Sequence, residues 1–281
     1  YQKMRALIIY LVISAVFIGC TPILSIDAST QNVYHFSDTD KNISLLDISE
    51  TFGTYDGSFV LYDNNLDSWK IYDLEEATKR IPPESTYKIY DALLGLESGI
   101  ITPEHSSMTW NGDAFPFPSW EADQDLNSAM QNSVNWYFQA IDSQLGINRV
   151  QEFLNKIEYG NQTTSSNLDL YWSDFSLKIS PLEQVTLLKK FNTNEFHLNF
   201  QNVFSVKNAI KIASTPNGNF YGKTGTGRVN GQDINGWFIG YVETSDNSYY
   251  FATNIQSDSN ATGKKAFEIT SDILKKLHIW N

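Results

Sequence analysis

Ser85 and Lys88 are three residues apart and lie just after the proline pair 82–83, where an extended segment gives way to a predicted helix. The apolar residues of that helix recur at helical spacing and predict one buried face: Ile89, Ala92, Leu93 and Leu96. Since residues three apart on a helix share a face, the lysine amine can reach the serine hydroxyl. A serine becomes a good nucleophile when a base takes its proton, and a lysine is a base only when it is neutral. Taken alone, the pair also fits a capped helix with a solvated lysine.

A second motif, Lys223-Thr224-Gly225-Thr226, lies at the end of a predicted strand. A cation and a hydroxyl at this position can hold the carboxylate of a ligand, and the glycine permits a close approach of the backbone. The other interpretation is a strand that ends in a tight glycine turn.

A third polar group, Ser133 and Asn135, lies between these motifs, on a helix that the apolar spacing predicts over 125–145. The plain interpretation is a helix whose polar residues face solvent.

Composition limits the classes of function. The net charge of −12 argues against a nucleic-acid partner, because phosphates need basic surfaces. Cys20 is the single cysteine, so an internal disulfide is excluded. The four histidines are scattered without ligand spacing, and we therefore predict no metal site in this chain.

Residues 6–26 carry no charge and are long enough to cross a bilayer. Lys3 and Arg5 precede them and acidic residues follow, which places the N-terminus in the cytoplasm and the remainder outside. A signal peptide, a lipoprotein signal ending at Cys20 and a buried soluble helix are the alternatives. Because the chain begins at Tyr1 and not at Met, we favour the last membrane span of a longer protein.

We therefore predict three regions: a transmembrane helix over 1–26, an extracellular linker over 27–54 and a folded domain over 55–281. Within the domain, 58–72 has the pattern of a β-hairpin, and strands are predicted at 219–223, 236–242 and 249–253. Further helices are predicted at 147–156 and 263–277, and 103–123 is predicted to be an irregular but packed loop. Strands at both ends with helices between them indicate an α+β domain.

The ordered set Ser85-x-x-Lys88, Ser133-x-Asn135 and Lys223-Thr224-Gly225 resembles the motifs of penicillin-binding proteins and serine β-lactamases. Three further segments resemble class D β-lactamases: Tyr159-Gly160-Asn161, the loop 171–180 with Trp172, and Gly236–Gly240. The resemblance covers 55–280. It implies an antiparallel sheet with helices on both sides and a mostly helical subdomain, here preceded by one transmembrane helix.

With the membrane segment included, the chain is similar to the sensor-transducers of inducible β-lactam resistance, of the methicillin-resistance (Mec) type. The resemblance implies a sensor domain outside the cell, anchored in the cell membrane and acylated by β-lactam antibiotics. It also implies a membrane-embedded zinc metalloprotease that would precede Tyr1, and indirect action on a cytoplasmic repressor.

The same resemblance implies roles for single residues. Ser85 would be the acylated nucleophile and Lys88 its general base, which class D enzymes carbamylate with carbon dioxide. Ser133 would relay a proton to the β-lactam nitrogen. The remaining residues would bind the ligand or steady the site: Lys223, Thr224 and Gly225 at its carboxylate, the N–H groups of Ser85 and Thr226 at the oxyanion, and Trp172 beside the carbamate.

Asn135 departs from the class D pattern, in which an aliphatic residue is usual. A carboxamide can hydrogen-bond Lys88 and favour its ammonium form, whereas carbamylation needs a neutral amine. We therefore expect Lys88 to act once, in acylation, after which deacylation stalls.

Three functions follow. A β-lactam receptor would keep its adduct, and a class D-like hydrolase would turn over. A D-alanyl peptidase would act on a D-Ala-D-Ala peptide. Asn135 and the start at Tyr1 favour the receptor.

Overall fold

The computed structural model describes residues 42–281. The predicted membrane segment 1–26 and most of the predicted linker lie outside these residues. Within 42–281, no helix combines the length and the apolar character that crossing a membrane requires.

One sheet organises the domain. The seven strands of the described part of the chain lie in the order β1-β3-β2-β7-β6-β5-β4. Their bounds are β1 Ile43–Leu45, β2 Asp56–Asp63, β3 Ser68–Tyr72, β4 Lys211–Thr215, β5 Gly218–Val229, β6 Gln232–Glu243 and β7 Ser248–Gln256. The hairpin and the three C-terminal strands agree with the sequence prediction. The sheet is mixed and not purely antiparallel, because the edge strand β1 pairs in parallel with β3.

The predicted linker is partly structured. Residues 43–52, which belong to it, form β1 and a short helix, α1 (Ser49–Phe52). The backbone N–H of Leu46 donates to the carbonyl of Ile71, and the buried ring of Phe52 packs on Tyr72 at 4.6 Å between centroids. The apolar residues of this polar segment therefore cover an edge of the sheet.

Helices lie on both sides of the sheet. Their bounds are α2 Leu74–Ala77, α3 Lys88–Glu97, α4 Leu126–Gln131, α5 Asn135–Leu145, α6 Ile147–Ile157, α7 Pro181–Asn192, α8 Phe200–Ala209 and α9 Gly263–Lys276. One face of the sheet packs on α9 through a phenylalanine-rich cluster. The other face packs on the larger cluster, to which α3, α5, α6 and α7 contribute.

The single helix predicted over 125–145 is wrong, because α4 and α5 are separate. Ser133 has a left-handed backbone (φ +51°) and Val134 is extended (ψ +97°), so the helical hydrogen-bond pattern stops between them. Val134 is nevertheless fully buried, and the apolar spacing therefore continues across the break. The break turns Ser133 out of the helix and toward β5.

The segment that leads to Ser85 is fastened to the sheet by side chains of β6. The indole of Trp237 donates to the carbonyl of Pro82 at 2.8 Å, and the amide of Asn235 donates to the same carbonyl at 3.1 Å. On the other side, Ile81 forms an isolated antiparallel bridge with Ile179. The nucleophile segment is thus held from both sides.

We expect Trp237→Phe to lower the free energy of unfolding by at least about 2 kcal/mol, because it removes a buried hydrogen bond and leaves a cavity. Chemical denaturation measures the change. Trp110→Phe is the matched control, since Trp110 donates within its own exposed loop, to the carbonyl of Asp113. Equal losses in the two variants would contradict the role given to Trp237.

Candidate active site

Ser85 and Lys88 meet at the start of α3. Ser85 lies in a 3₁₀ turn, Glu84–Tyr87, that runs directly into the helix, and its side chain is half-buried. The Lys88 amine donates to the Ser85 hydroxyl at 2.8 Å. This is the contact that a lysine base needs with its serine.

The Lys88 amine is completely buried (0% exposed). It donates to Asn135 Oδ1 at 2.5 Å and lies 5.6 Å from the ring centre of Phe138 and 5.4 Å from that of Trp172. Burial, followed by the charge of Lys223, holds the pKa of the Lys88 amine well below its usual value, while the charges of Asp91 and Glu84 oppose the shift. Burial and the charge of Lys223 thus favour the neutral amine, which is the form that can accept a proton.

Lys223 brings a second buried amine to the site from the middle of β5. It donates to the Ser133 hydroxyl at 3.1 Å and to the carbonyl of Thr224 at 3.0 Å. Burial lowers the pKa of Lys223 to about 7. Ser133 therefore lies beside Lys223, and Asn135 lies beside Lys88.

Strand β5 approaches the nucleophile closely, and Gly225 makes this possible. A Cβ atom added at Gly225 would lie 3.2 Å from the backbone nitrogen of Ser85. The next residue, Thr226, is exposed, and its hydroxyl accepts a hydrogen bond from the N–H of Gly263 at 2.9 Å. The Lys-Thr-Gly-Thr motif thus runs alongside Ser85.

An open cleft of about 690 Å³ lies above these residues. It is lined by Ser85, Ser133, Asn135 and residues 224–226, and by Phe117 and Trp120 of the loop 103–123. This loop is less packed than predicted, because Phe117 is 53% exposed. Trp120 is anchored, since its indole donates to the carbonyl of Asn132 at 3.0 Å. The loop therefore presents aromatic surface to the cleft.

Trp172 differs in position from the predicted binding residues Thr224, Gly225 and Thr226, which line the cleft. It is buried (3% exposed) and is not among the residues that line the cleft. Its ring contacts those of Tyr87, at 5.9 Å, and Tyr171, at 5.4 Å. It therefore forms part of the wall behind Lys88.

Glu84, which no sequence motif singles out, precedes the nucleophile in a left-handed backbone (φ +52°). Its N–H donates to the carbonyl of Trp172 at 3.0 Å, and its carboxyl lies 3.5 Å from the amide nitrogen of Asn235. A Cβ atom at Gly227 would lie 2.5 Å from Glu84 Oε1, so a glycine there leaves room for this carboxyl. Burial raises the pKa of Glu84 to about 8, against the opposing effects of Asn235 and Lys88.

The chain matches the family described as the penicillin binding protein transpeptidase domain over residues 57–275. It is 45% identical to "Regulatory protein BlaR1" of Bacillus licheniformis over 277 residues, which are 98% of this chain and 45% of that protein. It is 38% identical to "Methicillin resistance mecR1 protein" of Staphylococcus aureus over 278 residues, 99% of this chain and 47% of that protein. The chain thus spans about half the length of these relatives.

Solved structures agree with the fold. The C-terminal domain of the Bacillus licheniformis BlaR penicillin-receptor superposes with a TM-score of 0.83 at 46% identity, covering 85% of this chain and 98% of that one. The class D β-lactamase BAT-2 superposes with a TM-score of 0.79 at 36% identity, covering 84% and 97% of the two chains. The α+β fold of the penicillin-binding and class D type is therefore confirmed for the described residues.

We expect Glu84→Gln to change how stability depends on pH. Because the pKa of the buried acid rises from 4.5 to about 8 on folding, its contribution to stability is fully present below pH 4.5 and declines as the pH rises toward 8. The variant should therefore become more stable relative to the parent across this range, and the difference should level off above pH 8. Chemical denaturation at a series of pH values measures it.

Glu158→Gln is the matched control, because Glu158 is exposed and shares the left-handed backbone (φ +55°). A difference between parent and Glu84→Gln that is the same at pH 5 and pH 8 would show that the Glu84 carboxyl does not titrate between them.

Proposed function

Because the chain belongs to the penicillin binding protein transpeptidase domain family, we propose that its described residues form a β-lactam sensor that is acylated at Ser85. The observation that carries the proposal is the position of the Lys88 amine, between Ser85 Oγ at 2.8 Å and Asn135 Oδ1 at 2.5 Å. The relatives named as regulatory protein, resistance protein and penicillin-receptor support a sensor.

In the proposed acylation, the neutral Lys88 amine takes the proton of Ser85 as Oγ attacks the β-lactam carbonyl. The C–N bond of the lactam breaks, and Ser133 gives its proton to the leaving nitrogen. Ser133 regains a proton from the Lys223 ammonium beside it, which solvent then reprotonates. Lys223 and Thr224 hold the carboxylate of the drug. The N–H groups of Ser85 and Thr226 stabilise the oxyanion, an effect of about 3–4 kcal/mol for each donor.

We further propose that carbon dioxide can carbamylate Lys88 at rest. The neutral amine that this requires fits the burial of Lys88 and the rings of Phe138 and Trp172 around it. A carbamate would supply an anionic oxygen as the base for the serine proton. Asn135 Oδ1 instead offers an acceptor to the free amine, so the site also accommodates Lys88 without a carbamate.

Asn135 is the residue to which we assign the long life of the adduct. Its carbonyl oxygen accepts from Lys88, and an acceptor stabilises the ammonium form of the lysine. An ammonium has no lone pair with which to activate water. The acyl-protein would therefore persist, which suits a receptor.

The remaining parts of the sensor are proposals drawn from the family. They comprise a membrane anchor before the described residues, exposure of the sensor outside the cell, a zinc metalloprotease region that receives the signal and a cytoplasmic repressor as its indirect target. No nucleic-acid partner is proposed for this chain, in line with its net charge of −12.

The second candidate function is a class D-like hydrolase. The likeness to BAT-2, with 36% identity and a TM-score of 0.79, favours it. The two candidates share acylation at Ser85 and differ in the lifetime of the adduct.

The protein is mixed with a labelled penicillin, and its mass is followed for hours. We expect one adduct on Ser85, with little free product. Repeated turnover would establish the hydrolase, and the absence of any adduct would overturn both candidates. Ser85→Ala is the control for the site of attachment.

Asn135→Val should shorten the lifetime of the acyl-protein by about tenfold or more, because it removes the acceptor that favours the ammonium and leaves an apolar wall. The rate of adduct loss by mass spectrometry is the measurement. Asn208→Val, the same substitution on the exposed face of α8, serves as the control. An unchanged lifetime in Asn135→Val would refute the role of Asn135.

A further inference from the structure

Two aspartates behind Lys88, Asp91 and Asp142, have no part in the chemistry proposed above. Asp91 follows Lys88 by three residues on α3, so the two side chains share a helix face. Asp142 is a buried residue of α5, which packs on α3. Both side chains are completely buried, and each carboxyl influences the pKa of the other.

Few hydrogen-bond donors contact this carboxyl pair. The Tyr171 hydroxyl donates to Asp142 Oδ2 at 3.0 Å. Within residues 42–281, no donor reaches Asp142 Oδ1 or either oxygen of Asp91. Two ionised carboxylates in contact would repel each other without compensation, whereas a proton shared between them pairs their oxygens. Burial raises the pKa of both carboxyls, which agrees with at least one proton on the pair.

Lys88 is the group on which a negative charge of the aspartate pair has its main favourable effect. The groups that act on the pair are Lys88 on α3, Tyr87 in the 3₁₀ turn, Tyr171 in the loop before α7 and, from the surface, Asp169. Among these, Lys88 is the cation. In a buried site of low dielectric constant, a negative charge on the pair therefore favours the ammonium form of Lys88.

Lys223 acts in the opposite direction, because its charge repels an ammonium at position 88. In the free protein, this repulsion and burial keep Lys88 neutral and ready to accept a proton. A ligand carboxylate bound at Lys223 would neutralise that repulsion. The negative charge of the pair would then stabilise the ammonium form of Lys88 without the opposing repulsion from Lys223.

We propose that Asp91 and Asp142 share one proton and are positioning residues whose remaining negative charge holds Lys88 as an ammonium in the acylated protein. The inference rests on the proposed acylation of Ser85. Deacylation needs a water oxygen to attack the acyl carbon, the bond from that carbon to Ser85 Oγ to break, and one water proton to pass through a base to Oγ. An ammonium cannot accept that proton. A carbamate at Lys88 would be a second anion near Asp91, so the same charge also favours the free amine.

Asparagine imitates a protonated aspartate, and this gives a matched pair of variants. Asp142→Asn should retain one carboxylate, on Asp91 near Lys88, and should keep the long-lived adduct. The double variant Asp91→Asn with Asp142→Asn has the same shape and no charge. We expect its adduct with a labelled penicillin to be lost about tenfold faster than the parent's. The pH below which its acylation rate falls should be about one unit lower, as for a one-unit fall in the pKa of Lys88.

The full chain of 281 residues is used for each protein, and thermal unfolding verifies that each variant is folded. Equal adduct lifetimes in Asp142→Asn and the double variant would overturn the proposal. The two variants have side chains of the same shape at position 91 and differ there in charge, so a purely structural role would give them equal lifetimes. A parent that forms no adduct, or that turns over, would overturn the proposed sensor function instead.

Infrared spectroscopy tests the shared proton without the double variant. In Glu84→Gln, which lacks the other buried acid of the site, we expect a protonated-carboxyl band at pH 7. The band should disappear when Asp142→Asn is added, because the remaining Asp91 is then ionised. The absence of the band from Glu84→Gln would overturn the proposal.

Discussion

The burial of the Lys88 amine is the constraint on which the rest of the site depends. An ammonium removed from water without a paired charge is costly, and within 42–281 no carboxylate forms an ion pair with Lys88. The amine is instead enclosed by aromatic rings and two neutral oxygens, Ser85 Oγ and Asn135 Oδ1. Burial therefore holds the pKa of the amine low, the charge of Lys223 lowers it further, and the charges of Asp91 and Glu84 oppose the shift.

The fold supplies this enclosure by bringing distant segments together with local strain. Glu84 and Ser133 both have left-handed backbones, a conformation that costs about 1–3 kcal/mol in residues other than glycine. The first lies at the entry to the nucleophile turn, and the second turns a hydroxyl to 3.1 Å from Lys223. The sheet supports both positions, because Trp237 of β6 fixes the entry and β5 carries Lys223. Two of the left-handed residues of the described chain thus lie where the side chains of the site converge.

The sequence was sufficient for the parts of the site that obey local rules. Ser85 and Lys88 share a helix face, and the C-terminal strands have short connections, so spacing alone predicts both. Apolar spacing does not predict the break at Ser133, because the fully buried Val134 continues the spacing of the helix. Glu84 and Asp91 look like ordinary polar residues until tertiary packing removes them from water. Strand β1 was not predicted, because this short stretch of a polar segment forms a strand only through pairing with β3 at the edge of the sheet.

The similarity to both receptors and β-lactamases follows from how little separates the two chemistries. Acylation and deacylation each need a base beside the same serine, so a fold that supports the first already has the geometry for the second. What distinguishes them is whether the base is regenerated. We propose that the amide oxygen at 2.5 Å from Lys88, together with the buried carboxyl pair, shifts the preference toward the ammonium after acylation. On this argument the lifetime of the adduct is an electrostatic property of a few buried groups, and the same scaffold can act as a receptor or as a hydrolase.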